Sequence, residues 1–277
     1  MNKTQIEWVK NPDGTQGYTW NPITGCLNGC EYCYARKLAN GRLRDRYLAN
    51  KNVAITHLHE PVAGYEALAD PFYPRFWEDR MLDVPIKNYE PNKHLGIFVC
   101  DMSDLFGIGV PEEWTRRILT KIRTGGAWHR FYLLTKQPQN LAKFSPFPDN
   151  CWVGVTACNQ TMLQKALSSE GLASAKAGAK FISFEPLLQR MDGLADYLYC
   201  VSWVIIGAQT KPVVYPKVEW VEEIVEACDK ARVPVFLKDN LGRFLPRRLA
   251  EQPGNLYPKD GWYPLRQEMP EYWAVGK

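Results

Sequence analysis

The sequence predicts an α/β fold: a partial or complete β/α barrel on a mostly parallel sheet. Three observations predict it. Short apolar runs recur through the chain and are nearly continuous rather than alternating, as strands covered on both faces read. Segments of helical periodicity separate them, and such alternation builds βαβ units. The length of 277 residues is long for one ordinary domain but normal for one barrel.

A strand is predicted over 18–24, just ahead of a cysteine cluster. Further strands follow at 96–100, 130–135, 151–156, 180–184, 203–207 and 234–237, giving six or seven in all. A helix over 111–124 opens on Pro then Glu-Glu, good first-turn residues, and stops before Gly125-Gly126. A second, over 161–176, carries Leu163, Ala166, Leu167 and Leu172, and a third over 218–231 carries Val221, Ile224, Val225 and Cys228 at helical spacing. Residues 49–93, rich in Pro, aromatics and charge, read as a surface insertion with one short helix. The Pro- and Arg-rich tail, 241–277, is expected to cover one end of the barrel. The whole, 1–277, reads as one domain with its core over about 15–240.

Hydrophobic residues make up 45% and charged residues 23% of the chain, which places it among ordinary globular proteins. A net charge of +4 permits a nucleic-acid partner without arguing for one. Ten tryptophans point to core and pocket walls, with a few stacking surfaces. Residues 1–10 have no apolar signal region, and no stretch nears the roughly 20 apolar residues of a membrane helix. Of the eight cysteines, Cys100, Cys151, Cys158, Cys200 and Cys228 are scattered along apolar runs, where free thiols act as small hydrophobes. A secreted disulfide framework is therefore rejected, and a cytoplasmic location is expected.

The other three form the run Gly25-Cys26-Leu27-Asn28-Gly29-Cys30-Glu31-Tyr32-Cys33. Soft thiolates select zinc, copper(I) or iron–sulfur clusters, and clusters normally take four protein ligands. Three thiolates suit a site that keeps one position open.

In parallel α/β proteins, ligands sit at the carboxyl ends of the strands. There the sequence places the cysteines; Asp101, Ser103 and Asp104; Thr135, Lys136 and Gln137; Thr156, Asn159 and Gln160; Glu185; Gln209, Thr210 and Lys211; and Lys238, Asp239 and Asn240. Each alone is ordinarily a turn former or helix cap. Together they fit a cofactor with amine, carboxylate and hydroxyl groups. Lys136 and Lys238 are solvated ends or anion contacts. Arg243, Arg247 and Arg248 are a solvated face or a phosphate grip. Glu185, closing an apolar run, is the acid of most interest, and Glu185, Lys136 and Lys238 are the catalytic candidates.

The C-x3-C-x2-C spacing with an aromatic before the third cysteine resembles the radical SAM superfamily signature. Ile6-Glu7-Trp8 and Thr19-Trp20-Asn21-Pro22-Ile23-Thr24-Gly25-Cys26 resemble the start of a family common in phage and bacterial genomes, a domain of unknown function. Ile97-Phe98-Val99-Cys100-Asp101-Met102-Ser103-Asp104-Leu105-Phe106, Leu134-Thr135-Lys136-Gln137-Pro138, Trp152-Val153-Gly154-Val155-Thr156 and Phe181-Ile182-Ser183-Phe184-Glu185-Pro186-Leu187-Leu188 extend the likeness over nearly the whole chain. It departs at Gly207-Ala208-Gln209-Thr210, where many relatives resemble Gly-Gly-Glu-Ser, and at Lys238-Asp239-Asn240-Leu241, where they resemble Lys-Gln-Trp-Gly.

The resemblance implies a partial (β/α)6-type radical SAM barrel with a [4Fe–4S] cluster on Cys26, Cys30 and Cys33. S-adenosylmethionine would bind the open iron and yield a 5′-deoxyadenosyl radical after reduction by a donor such as flavodoxin or ferredoxin. It places Tyr32 beside the adenine, Ser103 and Asp104 at the methionine amine, Thr156 and Asn159 at the ribose, Glu185 at a further polar contact, and backbone at 206–208 along the adenine edge. The implied substrate is a nucleobase of phage or bacterial DNA or RNA, one already carrying an appended amino acid. Isomerase, lyase or transferase chemistry would follow hydrogen abstraction. A free small molecule or amino acid is the rival substrate. From another class, the thiols would serve a non-enzymatic iron–sulfur or zinc regulatory protein, zinc taking His57, His59 or Cys100 as fourth ligand.

Overall fold

The computed structural model describes residues 1–54, 66–84, 94–242, 244–246, 249 and 265–271. An eight-stranded sheet forms the scaffold, in the order β1-β2-β5-β6-β7-β8-β9-β12. These strands are β1 (Asn2–Lys3), β2 (Tyr18–Trp20), β5 (Gly96–Val99), β6 (Arg130–Thr135), β7 (Cys151–Thr156), β8 (Ala179–Phe184), β9 (Trp203–Ile206) and β12 (Val235–Leu237), while β10 (Gln209–Thr210) and β11 (Val213–Val214) pair apart from them as an antiparallel hairpin. Only β1 runs antiparallel, against β2; the remaining strands are parallel and each lies beside the one before it in the chain. This is the barrel order, left open: among the described residues β12 pairs with β9 and does not reach β1.

The strands read as continuous apolar runs because both faces are covered. On β6, Phe131 and Leu133 join the larger core beneath the helices, while Tyr132 faces the opposite, concave side. The same alternation puts Phe98, Trp152, Phe181, Trp203, Ile205 and Phe236 on the concave side, around Trp8. The Trp8 ring centroid lies 4.9 Å from Phe98, 5.6 Å from Tyr132, 5.9 Å from Phe181 and 6.1 Å from Trp203, spacings of packed aromatic pairs. Trp8 thus plugs the barrel interior from a segment outside the sheet.

The outer layer holds α1 (Tyr34–Asn40), α2 (Arg44–Ala49), α3 (Glu112–Gly125), α4 (Gln160–Ala166) and α5 (Val218–Ala231). Helix α3 buries Trp114, Ile118 and Ile122, four residues apart on one stripe. Helix α5 spans the predicted residues, but α4 ends at Ala166, ten residues short of the expected 161–176. The Leu172 amide there turns back to the Ala166 carbonyl (2.7 Å), so Leu172 packs from a turn rather than a helix. The expected strand over 18–24 is also two. Asn21-Pro22 interrupts it, and β3 (Ile23–Thr24) leaves the sheet to pair with β4 (Arg75–Phe76).

Where it is described, the 49–93 segment is not wholly at the surface but is anchored in the core by its middle residues. Arg75 is fully buried and donates to the carbonyls of Asn50 (2.7 Å), Ala67 (3.1 Å), Leu68 (3.1 Å) and Asp70 (2.8 Å). That spoke pattern holds Phe72 and Phe76 in the core. The described tail runs along β12: the Leu237 amide donates to Arg266 (2.7 Å) and the Glu268 amide to Val235 (3.0 Å). Arg243, Arg247, Arg248, His57 and His59 lie outside the described residues. No helix among the described residues is long and apolar enough to cross a membrane.

Candidate functional site

The carboxyl ends of the strands open into one cavity of about 260 Å³. Its mouth is the loop after β3. Gly25 starts that loop at φ +89°, and a Cβ there would lie 2.3 Å from the Tyr73 carbonyl oxygen, so only glycine fits. The Cys26 amide donates to Phe72 (2.9 Å) and the Arg36 guanidinium to the Cys26 carbonyl (3.1 Å). Cys33 caps α1, its Sγ accepting the Arg36 amide at 3.3 Å, and the Cys26 Sγ accepts the Asn28 amide at 3.4 Å.

Cys26, Cys30 and Cys33 all line the cavity, and among the described residues no other cysteine does. Cys100 is buried away from it. Burial, then the Asp104 carboxylate, push the Cys26 thiol up to about 12; burial also pushes Cys30 up, with Lys136 opposing. Left to the protein, these thiols keep their protons; a bound metal would displace them. Among the described residues no three His, Cys, Asp or Glu side chains converge as ligands of a single ion. Three thiols sharing a cavity with backbone N–H donors on two sulfurs fit a cluster, which takes its cysteines on separate irons.

Asp104 is the tie that fixes this loop. Its Oδ1 accepts the Thr135 hydroxyl (2.7 Å) and the Phe106 amide (3.1 Å). Its Oδ2 accepts the Asn28 amide side chain (2.8 Å) and the Lys136 backbone amide (2.9 Å). Four donors saturate the carboxylate, so Asp104 holds the cysteine loop to the ends of β5 and β6. Asn28, passed over inside the motif, completes the link by accepting from Gln137 Nε2 at 2.8 Å. The Ser103 hydroxyl donates to the Gly25 carbonyl at 2.5 Å. Asn21 and Tyr34 donate to Asp101, whose carboxyl burial pushes up against those hydrogen bonds.

Tyr32, Ser103, Asp104, Lys136, Thr156, Glu185 and Lys238 line the same cavity as the cysteines. Asn159 does not: its side chain caps α4, accepting the Met162 amide at 2.9 Å. The Tyr32 hydroxyl lies 3.0 Å from the Cys158 Sγ, and the Lys136 ammonium 5.8 Å from the Tyr32 ring centre. Lys238 is no free anion contact. Its ammonium is ion-paired with Glu185 and, at 3.3 Å, with Glu7. Burial pulls its pKa down, but the two carboxylates outweigh this and raise it. The divergent segments after β9 and β12 are bound to each other. The Ala208 amide donates to Asn240 Oδ1 (3.0 Å), and Asn240 Nδ2 donates back to the Ala208 carbonyl (2.9 Å). Asp239 accepts from Gln267 at 2.7 Å, outside the cavity.

A family profile matches residues 3–262. The chain belongs to DUF5131, a family of proteins of unknown function. No curated protein matches it. Among solved structures it is similar to spore photoproduct lyase complexed with dinucleoside spore photoproduct, at 12% identity and TM-score 0.49, covering 86% of this chain and 78% of that one. It is also similar to a mutant of that lyase with bound AdoMet and dinucleoside spore photoproduct, at 15% identity and TM-score 0.41, covering 83% and 66%. The α/β architecture of this DUF5131 chain stands on the sheet described above.

Proposed function

We propose that this chain is a radical SAM enzyme that holds a [4Fe–4S] cluster on Cys26, Cys30 and Cys33 and acts on a nucleobase. The observation that carries this reading is three cysteine thiols, the only ones among the described residues to line the site, at the mouth of a strand-end cavity whose lining mixes polar side chains, aromatic rings and a few aliphatic groups. When bound and reduced, the cluster with S-adenosylmethionine supplies a 5′-deoxyadenosyl radical that takes a hydrogen atom from substrate. The chain's own residues position and enclose. Asp104 and Asn28 fix the cysteine loop, Tyr32 and Thr156 offer walls to the adenosyl group, and the aromatic plug around Trp8 closes the far end to water. Thr156 lies opposite Ser183 in the β7–β8 register, which keeps both polar groups on one wall.

The nucleic-acid reading is supported by charge beside the mouth. Lys37, Arg42, Arg44, Arg46 and Lys51 are exposed across α1, α2 and their flanks, against only Glu31 and Asp45 in the same stretch. A patch of that sign suits a phosphate backbone. A base in duplex would have to be flipped out to enter the cavity. Isomerisation of an amino-acid-decorated base is the reaction we favour, with a flavodoxin- or ferredoxin-type donor supplying the electron.

Anaerobic reconstitution tests the core of this reading. The protein is expected to take up about four irons and sulfides and, reduced with S-adenosylmethionine, to release 5′-deoxyadenosine; Cys30→Ala should lose both. One zinc per chain and no deoxyadenosine would refute it. Oligonucleotide affinity that falls with rising salt supports the nucleic-acid substrate; no binding at low salt leaves the free small molecule.

A further inference from the structure

Two buried polar groups in the cavity have no hydrogen-bond partner among the described residues. Trp8 is 2% exposed and Ser183 1%, both line the cavity, and neither the Trp8 Nε1 nor the Ser183 Oγ makes a hydrogen bond. Buried polar groups are ordinarily satisfied, and an orphan inside a site marks a place where something else supplies the partner. They sit on one wall. Phe181, Ser183 and Glu185 follow at every second residue along β8 and beyond its end, and Trp8 packs on Phe181 at 5.9 Å. The cysteines stand instead on the loop at the cavity mouth.

We propose that Trp8 and Ser183 form a recognition floor for the substrate, and that the group they receive is a neutral ring bearing a carbonyl, such as the lactam edge of a pyrimidine. This rests on the nucleobase reading and deepens it. The indole N–H is a donor only and the serine hydroxyl is free to donate, so the pair calls for acceptor atoms. An anionic acceptor does not suit the same wall. Lys238 is already paired with Glu185 and Glu7, and the formal charges of that trio sum to −1. Within the trio, the Glu7 Oε2 is buried and has the ion contact but no hydrogen bond. A carboxylate or phosphate arriving there would meet net negative charge; a carbonyl oxygen would not. Trp8 and Phe98, packed on each other and both lining the cavity, give it an aromatic surface that suits a neutral ring. Trp8 and Ser183 are thus specificity-determining residues, distinct from the cluster ligands.

The test uses reconstituted, oxidised holoenzyme saturated with S-adenosylmethionine, so that no turnover occurs and the adenosyl site is filled. Thymidine, with two ring carbonyls, and deoxyadenosine, with none, are titrated at low salt by ligand-observed NMR. Thymidine is expected to bind more tightly than deoxyadenosine. Ser183→Ala and Trp8→Phe are each expected to weaken thymidine about 5–30-fold, the loss of one buried hydrogen bond, while S-adenosylmethionine affinity stays within about twofold. Ser183→Ala removes an orphan, so its melting temperature without thymidine should stay or rise, which keeps the test independent of folding damage. Thymidine affinity unchanged in both variants, or no thymidine binding by the wild type, overturns the proposal. A matching loss of S-adenosylmethionine affinity also overturns it, by giving the floor to the cofactor. Iron content and deoxyadenosine release of the same preparations report separately on the radical SAM reading, so a failure there is told apart from a failure of the floor.

Discussion

Asp104→Asn isolates the tie between the cysteine loop and the sheet. The substitution keeps the shape but turns one carboxylate oxygen into an N–H₂ group. If that group takes the Oδ1 place, the Thr135 hydroxyl can reverse and accept, but the Phe106 amide loses its acceptor. If it takes the Oδ2 place, the Asn28 amide can flip only by giving up its bond from Gln137, and the Lys136 amide loses its acceptor. Either way one backbone N–H is stranded beside a residue only 4% exposed, at a cost of roughly 1–3 kcal/mol. The remaining bonds lose their ionic acceptor, which takes away about 1 kcal/mol more. A total near 3 kcal/mol corresponds to a fall of about 6–12 °C in melting temperature at this chain length. Differential scanning calorimetry reads that fall, and alkylation of the native, metal-free thiols reads whether the loop itself loosens. A drop under about 2 °C with unchanged alkylation of Cys26, Cys30 and Cys33 would show that Asp104 does not tie the loop, and the reasoning would fail.

Lys238→Met should strand the Glu185 and Glu7 carboxylates and cost roughly 2–4 kcal/mol, read by urea unfolding at neutral pH. Because the folded pKa of Lys238 lies above its ordinary 10.5, the wild-type pair should stabilise fully below about pH 10.5 and lose that contribution as pH rises through the folded value; Lys238→Met should lack this alkaline loss. Asn159→Ala should remove the α4 cap and cost about 1 kcal/mol with no change in S-adenosylmethionine affinity. A tenfold loss of that affinity would place the ribose on Asn159 instead.

The sheet was readable because its physics is one-dimensional. Strands buried on both faces are near-continuous apolar runs, so 130–135 and 151–156 match β6 and β7 residue for residue. β1 was not readable: Asn2 and Lys3 are exposed, and nothing local marks two polar residues as a strand. The overlong second helix followed from extending the stripe of Leu163, Ala166 and Leu167 to Leu172, which at 100° per residue falls on the opposite face from Leu163 and packs from a turn instead. The cysteines and most of the polar rim were legible from the motif and from the rule that strand ends carry the site. What escaped was long-range pairing. Glu7 meets Lys238 and Asn28 meets Asp104 across the fold, and Trp8 carried no sign of its place beyond its membership of the Ile6-Glu7-Trp8 run.

The origin of Trp8 has a consequence for how such a chamber is built. The residue that ends the cavity belongs to a segment whose backbone takes no part in the parallel ladder; its neighbour Val9 closes a local turn, donating to the Ile6 carbonyl at 3.0 Å. The walls and the end stop are therefore separate parts. A change of side chain at position 8 would lengthen or shorten the chamber as a piston does, leaving the strand register and the thiol-bearing mouth as they are.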